Sequence, residues 1–143
     1  MIVFVGTVLE KNGKYLLVQE GQKSCYKEWS IPGGLLDYNE KIIDGVMREV
    51  KEEIGCSVKL SDLCFVGNRV LNNDIVLFVV FRGNLLDENI TPDNDEILDA
   101  KWVDYDEVLS MKKVLRSPDL VLKCIDNCKN GSLSSLNIID VVE

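Results

Sequence analysis

Three glutamates lie close together in the segment Arg48-Glu49-Val50-Lys51-Glu52-Glu53. On an α-helix, residues three and four positions apart are neighbours, with Cβ atoms about 5–6 Å apart, so Glu49 stands beside both Glu52 and Glu53. Carboxylates this close repel one another unless a cation binds among them. Mg²⁺ commonly takes one or two carboxylates together with substrate phosphates. The spacing therefore predicts one half of a site for a metal ion and a phosphate.

The flanking residues predict a helix over 40–54 that carries this acidic cluster. Its apolar side chains recur at helical spacing and form one stripe, which leaves the glutamates on another face; they are Ile43, Val46, Met47, Val50 and Ile54. Asn39 is a candidate N-cap, and Gly55 stands where a helix C-terminal glycine is expected. Gly33 and Gly34 precede the helix and let the backbone approach a ligand closely, so a carbonyl group there can be a metal ligand.

The segment from Gly34 to Cys56 resembles the Nudix box, G-x5-E-x7-R-E-U-x-E-E-x-G-U, where U is a bulky aliphatic residue. Eight positions match: Gly34, Glu40, Arg48, Glu49, Val50, Glu52, Glu53 and Gly55. Cys56 departs from the pattern at the last position, where a buried cysteine acts as a small hydrophobe. The resemblance implies an α/β fold, the Nudix α/β/α sandwich with a mixed β-sheet between helices.

The resemblance also implies a metal site. Box glutamates of Nudix enzymes bind Mg²⁺ or Mn²⁺, which bridges to the diphosphate of a nucleoside-diphosphate-linked substrate. Here the ligands would be Glu49, Glu52 and Glu53, with Glu52 and Glu53 central and the carbonyl of Gly33 as a further ligand. Metal ions neutralise the phosphates and lower the pKa of bound water, and a carboxylate then accepts the proton.

Three further box residues, Gly34, Glu40 and Arg48, are expected to support the site rather than to take part in the chemistry. By resemblance, Glu40 and Arg48 pair and hold the junction between the loop at Gly34 and the helix, a role in positioning the ligands. An alternative for Arg48 is a surface ion pair of little energetic consequence.

A general base outside the box is common in the family, often an acid in a later loop. Glu96 is the favoured candidate because it begins the apolar stretch that leads to Trp102; the other acids of that loop are Asp93, Asp95 and Asp99. The alternatives are a flexible acidic loop without a catalytic acid, or a box glutamate as the base. The chain has no histidine, which excludes imidazole chemistry and histidine-bound metals.

Composition predicts one domain over residues 1–143, with 46% apolar and 28% charged residues. The net charge of −8 argues against binding of polymeric nucleic acid. Five scattered cysteines do not form a disulfide pattern and are expected to be free thiols. No signal peptide or membrane-spanning apolar run is evident, so we expect a cytoplasmic protein, and a homodimer is plausible.

Hydrophobic periodicity and turn residues predict an alternating layout of strands and helices. Strands are expected at 2–9, 15–19, 29–31, 57–60, 64–70, 75–81 and 100–103, and further helices at 104–111 and 117–129. The apolar tail 136–142 is expected to form an added edge strand or a subunit contact.

The sequence defines the substrate less narrowly than it defines the family. Markers of ADP-ribose, dinucleoside polyphosphate and NADH hydrolases are missing, so the leading hypothesis is cleavage of a nucleoside triphosphate, including oxidised purine nucleotides, to the monophosphate and pyrophosphate. The alternatives are a hydrolase of ADP-ribose, a nucleotide sugar or another linked nucleoside diphosphate, and a non-catalytic nucleotide-sensing module. Phe78 could stack a base and Asp119 could read a purine edge, although core packing and a helix N-terminal acid are the plainer interpretations.

Overall fold

The computed structural model describes residues 1–142 and contains eight strands and three α-helices in that range. The strands are β1 (Ile2–Lys11), β2 (Lys14–Glu20), β3 (Trp29–Ser30), β4 (Gly33–Leu35), β5 (Val58–Leu71), β6 (Asp74–Leu85), β7 (Ile97–Val103) and β8 (Ser134–Ser135). The helices are α1 (Ile42–Ile54), α2 (Tyr105–Ser110) and α3 (Pro118–Asn130), with 3-10 turns at Lys23–Cys25, Lys112–Val114 and Leu136–Ile138.

The strands form a mixed sheet in the order β3-β2-β1-β6-β5-β8, with β4 paired to β1 and β7 paired to β2. Strands β1 and β6 run parallel, from Ile2 opposite Val76 to Leu9 opposite Gly83. The other pairs of named strands are antiparallel. Parallel neighbours need a long crossover, and here the crossover carries strands β2 to β5 and helix α1.

Helices cover both faces of the sheet. Val50 and Ile54 of helix α1 pack with Phe81 in one core cluster, whereas Val121 and Ile125 of helix α3 pack in a second cluster that includes Phe78. The predicted α/β/α sandwich is therefore confirmed. Phe78 and Phe81 lie three positions apart on a strand, which places them on opposite faces of the sheet.

Two details of the predicted elements are wrong. Asn39 has a left-handed φ of 63° in a turn, so helix α1 starts later, after Lys41 as N-cap without a side-chain cap. The tail 136–142 does not form a strand; the short strand Ser134–Ser135 pairs with Asp62 and Leu63 instead. The Ser135 hydroxyl then accepts the Asn137 amide N–H, which starts a 3-10 turn away from the sheet edge.

The sheet is also more continuous than expected. The predicted strands 57–60 and 64–70 join into β5, which has irregular register between Leu60 and Asp62 and again between Leu63 and Phe65. Such bulges interrupt the apolar alternation that would otherwise mark one long strand. Residues Gly33–Leu35, which we placed in a loop, pair with β1 as strand β4.

All five cysteines are buried and free in the described part of the chain. Cys64 and Cys128 bring their sulfur atoms within 3.5 Å of each other. None of the helices over residues 1–142 is both long and apolar enough to span a membrane.

Candidate active site

An acidic cavity of about 460 Å³ lies between strand β4, helix α1 and the loop before strand β7. The structure brings seven of the predicted site residues to its walls: Gly33, Gly34, Arg48, Glu49, Glu52, Glu53 and Glu96. They come from three separate stretches of sequence, because strand β4 carries the glycines to the centre of the sheet and helix α1 packs against it. We call this space the acidic cavity.

Two box glutamates on its wall are buried, although they lie outside the apolar stripe predicted for the helix. Glu53 is 4% exposed and Glu49 is 9% exposed, and the Glu53 carboxylate accepts the Gly33 amide N–H at 2.7 Å. Burial raises the pKa of Glu53 well above its ordinary value, and the Gly33 N–H partly offsets this effect. Burial also raises the pKa of Glu49, against the lowering effect of Arg48. Both carboxylates therefore favour a proton or another cation.

Arg48 connects the middle of helix α1 to the preceding loop. Its guanidinium donates to the two carboxylate oxygens of Glu40 at 2.7 and 2.9 Å and to the Leu35 carbonyl at 3.0 Å. The hydrogen bond from Arg48 lowers the pKa of the Glu40 carboxyl, and Glu40 in turn raises the pKa of Arg48. A forked arginine–carboxylate pair fixes geometry as well as charge. This is the arrangement that the predicted supporting role requires.

The same arginine also touches the expected metal ligands. Arg48 Nη1 lies 3.0 Å from Glu49 Oε1 and 3.1 Å from Glu52 Oε2. Over residues 1–142, no three acidic, cysteine or histidine side chains are grouped as metal ligands. The predicted ligand set is therefore not assembled in this arrangement, because Arg48 engages Glu49 and Glu52 while Gly33 engages Glu53.

The chemistry of the donors nevertheless fits a hard divalent cation. Carboxylate oxygens are the ligands that Mg²⁺ and Mn²⁺ prefer, and the Glu52 side chain is 54% exposed, which leaves it free to turn. A Cβ atom at Gly34 would come within 2.5 Å of the Glu49 carboxylate, so the glycine leaves room for that group. Burial raises the pKa of both Glu49 and Glu53. Glu49 has the Arg48 guanidinium beside it, whereas the donor to Glu53 is the neutral Gly33 N–H.

Of the four acids proposed as general base, only Glu96 lines the acidic cavity in the described structure. Asp93 uses its carboxylate to accept the backbone N–H groups of Asp95 and Ile97, and Asp99 accepts that of Ala100. Asp93 and Asp99 therefore use their carboxylates to stabilise the backbone before and within strand β7. The Glu96 carbonyl accepts the Gly21 N–H at 2.7 Å, which fixes this residue at the cavity wall.

Glu20 and Arg116 also line the acidic cavity, and neither is among the predicted site residues. Glu20 is 6% exposed, and burial raises the pKa of its carboxyl. Its carboxylate lies 3.5 Å from Arg116 Nη1. The pairing with strand β7 shifts between Gln19 and Glu20, and this irregularity accompanies the inward position of Glu20. The available signal for Glu20 was an acid at the end of strand β2, two residues after its apolar run.

A second cavity, of about 240 Å³ and mainly apolar, shares Phe4, Leu35 and Arg116 with the acidic cavity. We call it the apolar cavity. Phe78 lines it, and its ring centroid lies 5.7 Å from that of Phe4. Asp119 does not reach either cavity; it is exposed on the first turn of helix α3 and lines a separate shallow depression behind Phe78.

The fold and this site agree with comparisons to known proteins. A family model described as the NUDIX domain matches residues 2–124. The chain belongs to the NUDIX domain family. A solved NUDIX hydrolase from Nitrosomonas europaea is 30% identical, with a TM-score of 0.87 over 99% of this chain and 97% of that chain.

Curated relatives of this NUDIX chain are longer proteins. Nudix hydrolase 8 of Arabidopsis thaliana is 29% identical over 130 residues, which are 87% of this chain and 34% of the relative. The 8-oxo-dGDP phosphatase NUDT18 of Danio rerio is 30% identical over 112 residues, which are 76% of this chain and 34% of the relative. The chain thus spans about a third of the length of these two relatives.

Proposed function

We propose that this protein is a metal-dependent Nudix hydrolase that cleaves a phosphoric anhydride bond of a nucleoside polyphosphate. The observation that carries the proposal is the junction of the acidic cavity with the apolar cavity, which share Phe4, Leu35 and Arg116. Carboxylates on one side suit a metal–diphosphate group, and aromatic rings on the other suit a nucleoside.

Glu49, Glu52 and Glu53 would hold Mg²⁺ or Mn²⁺, with Gly33 beside them. When bound, the metal ion would neutralise the phosphate charge and lower the pKa of a water molecule. The Glu53 carboxylate is kept in place by the Gly33 N–H, and both Glu53 and Glu96 line the acidic cavity. In this proposal Glu96 accepts the proton. Arg48 and Glu40 keep the start of helix α1 against the loop.

The preferred reaction is cleavage of a nucleoside triphosphate, canonical or oxidised, to the nucleoside monophosphate and pyrophosphate. A second candidate is a nucleoside diphosphate, since one relative of 30% identity is named as an 8-oxo-dGDP phosphatase. ADP-ribose, nucleotide sugars and other linked nucleoside diphosphates are further alternatives. A non-catalytic sensing module is disfavoured because every box glutamate is present.

The test is product release by the purified protein with Mg²⁺, and separately with Mn²⁺, across a substrate panel. The panel holds canonical and oxidised nucleoside triphosphates and diphosphates, ADP-ribose, sugar nucleotides and dinucleoside polyphosphates. We expect strong turnover of a triphosphate group that stops when the metal is chelated. If no member of the panel is turned over with either metal, the proposed cleavage of these nucleotides is ruled out, and an unusual substrate or a sensing module is favoured.

We further propose a cytoplasmic protein that acts on small nucleotides and not on polymeric nucleic acid, in line with its net charge of −8. A homodimer stays a prediction, which sedimentation at several protein concentrations would test.

A further inference from the structure

Arg116 is the only described cation that lines both the acidic cavity and the apolar cavity. The acidic cavity has two arginines on its walls, Arg48 and Arg116, and the apolar cavity has Arg69 and Arg116. Arg48 is engaged by carboxylates, and Arg69 lies over the Phe78 ring at 5.5 Å. Arg116 therefore marks the boundary between a site for negative charge and a site for an aromatic group.

The backbone around Arg116 is fixed from several sides. Its N–H donates to the Trp29 carbonyl at 2.8 Å, and Leu115 forms a bridge to Trp29. The next residue, Ser117, has φ 50° and ψ 63°, a left-handed conformation that non-glycine residues rarely adopt. Arg69 Nη1 donates to the Ser117 hydroxyl at 3.3 Å. Backbone strain that is held by surrounding contacts is characteristic of functional positions. Here the strained conformation of Ser117 fixes the backbone next to Arg116.

The side chain of Arg116 is held only loosely by its acidic partner. Its distance to the Glu20 carboxylate is 3.5 Å, at the outer limit of a hydrogen bond, and the side chain is 44% exposed. A guanidinium has five N–H donors, and this contact uses one of them. Glu20 is buried and stays beside Arg116, so it orients the guanidinium while leaving donors for a ligand.

We propose that Arg116 binds the phosphate attached to the nucleoside, in a ligand whose phosphates lie in the acidic cavity and whose base lies in the apolar cavity. This proposal rests on the proposed function only for the identity of the ligand, a nucleoside phosphate. The phosphate nearest the nucleoside must lie where the two cavities meet, and Arg116 is the described cation at that place. Arginine binds phosphate oxygens with two parallel donors, which gives direction as well as charge. Glu20 is then a positioning residue.

The experiment measures binding by calorimetry in EDTA, so that neither metal nor turnover contributes. The probes are the 5′-monophosphates of deoxyguanosine, 8-oxo-deoxyguanosine and adenosine, each paired with its nucleoside. The proteins are wild type, Arg116→Ala, Arg116→Lys and the matched control Lys113→Ala, an exposed cation that lines neither cavity. Since Arg116→Ala leaves buried Glu20 without its cation, the double variant Glu20→Gln with Arg116→Ala is a second test.

For at least one pair of monophosphate and nucleoside, wild type and Lys113→Ala should bind the monophosphate about 10- to 100-fold more tightly. This difference is in the range that one hydrogen bond to a charged group contributes. Arg116→Ala and the double variant should lose that preference and keep the nucleoside affinity, and Arg116→Lys should keep part of it. Equal weakening of nucleoside and monophosphate, an unchanged preference, or no preference in wild type would each overturn the proposal. Turnover is scored separately, so a protein without turnover that keeps this preference would refute only the hydrolase proposal.

Discussion

Glu53 shows how one residue can favour ligand binding over stability. Its carboxyl is 4% exposed and has a single neutral donor, the Gly33 N–H. Glu20, Glu49 and Glu96 repel its negative charge and, after burial itself, contribute to the raised pKa. A buried carboxylate with acidic neighbours destabilises the folded chain unless a cation joins it. Such a group is characteristic of functional sites.

Replacing Glu53 by Gln should stabilise the metal-free protein. Folding raises the pKa of Glu53, so the folded chain holds this proton more tightly than the unfolded chain, and stability decreases as the pH rises through the raised pKa. At pH 8 we expect the Glu53→Gln variant to melt about 2–8 °C above wild type, and the difference should vanish at acidic pH. Thermal unfolding in EDTA across the pH range measures this. A variant that melts below wild type at pH 8 would contradict it.

Replacing Glu52 by Gln should leave the fold intact and reduce turnover by at least about 100-fold, the usual scale for loss of a charged catalytic group. The side chain is 54% exposed, so its loss has little effect on packing. Steady-state kinetics on the best substrate of the panel give the result. Glu88→Gln is the matched control, since Glu88 is exposed and lies outside the acidic cavity. Near-normal turnover by Glu52→Gln would show that the metal-site assignment is wrong.

At the scale of elements, the contact between strand β4 and helix α1 determines the shape of the acidic cavity. Gly34 faces Glu49 so closely that a Cβ atom would come within 2.5 Å of its carboxylate. Because the obstacle is the end of a side chain, the carboxylate can move away at little cost in stability. Its position relative to Glu52 and Glu53 would change.

The Gly34→Ala variant should therefore keep its melting temperature and lose affinity for the metal. We expect binding of Mn²⁺, measured by electron paramagnetic resonance, to weaken about tenfold, in the range seen when the groups that orient metal ligands are lost. Glu49→Gln provides the comparison, because it alters the same carboxylate directly. If Gly34→Ala bound Mn²⁺ as wild type does, Glu49 would not be a metal ligand.

The sequence predicted helix α1 to within two residues of its start because the spacing of its apolar residues reflects local geometry. Strand β4 was missed, since three residues with two glycines carry no alternating pattern. The edge strand expected over the tail was wrong because apolar residues indicate burial but not the direction of the chain after Ser135. The alternative, a subunit contact, stays a prediction. Bulges in β2 and β5 depend on partner strands, so no single segment encodes them.

At the scale of the whole molecule, the site combines segments that are remote in sequence. Glu20, Glu96 and Arg116 join the box residues only when strands β2 and β7 and the start of helix α3 are in place. The sequence identified Glu96 through its place before an apolar stretch. It gave no comparable sign for Arg116, whose role depends on two cavities that exist only in the folded chain.

Burial of all five thiols gives a global probe of the fold. Burial raises the pKa of Cys56, and Cys64 has its pKa raised to about 12, chiefly by its hydrogen bond to Cys124. Thiols that are buried and protonated react slowly with disulfide reagents. We expect few thiols to react in native buffer and all five to react in denaturant. Fast reaction of several thiols in native buffer would contradict the closed core.

The parallel pairing of strands β1 and β6 has a consequence for the order of events during synthesis. Ile2 pairs with Val76 and Leu9 pairs with Gly83, so strand β1 has its full set of neighbours only after strand β6 has been made. Contacts so distant along the chain slow folding relative to a fold built from local contacts. A nascent chain that ends before Gly83 leaves the apolar run Ile2–Leu9 incompletely paired, and it is at this stage that a ribosome-associated chaperone would matter most.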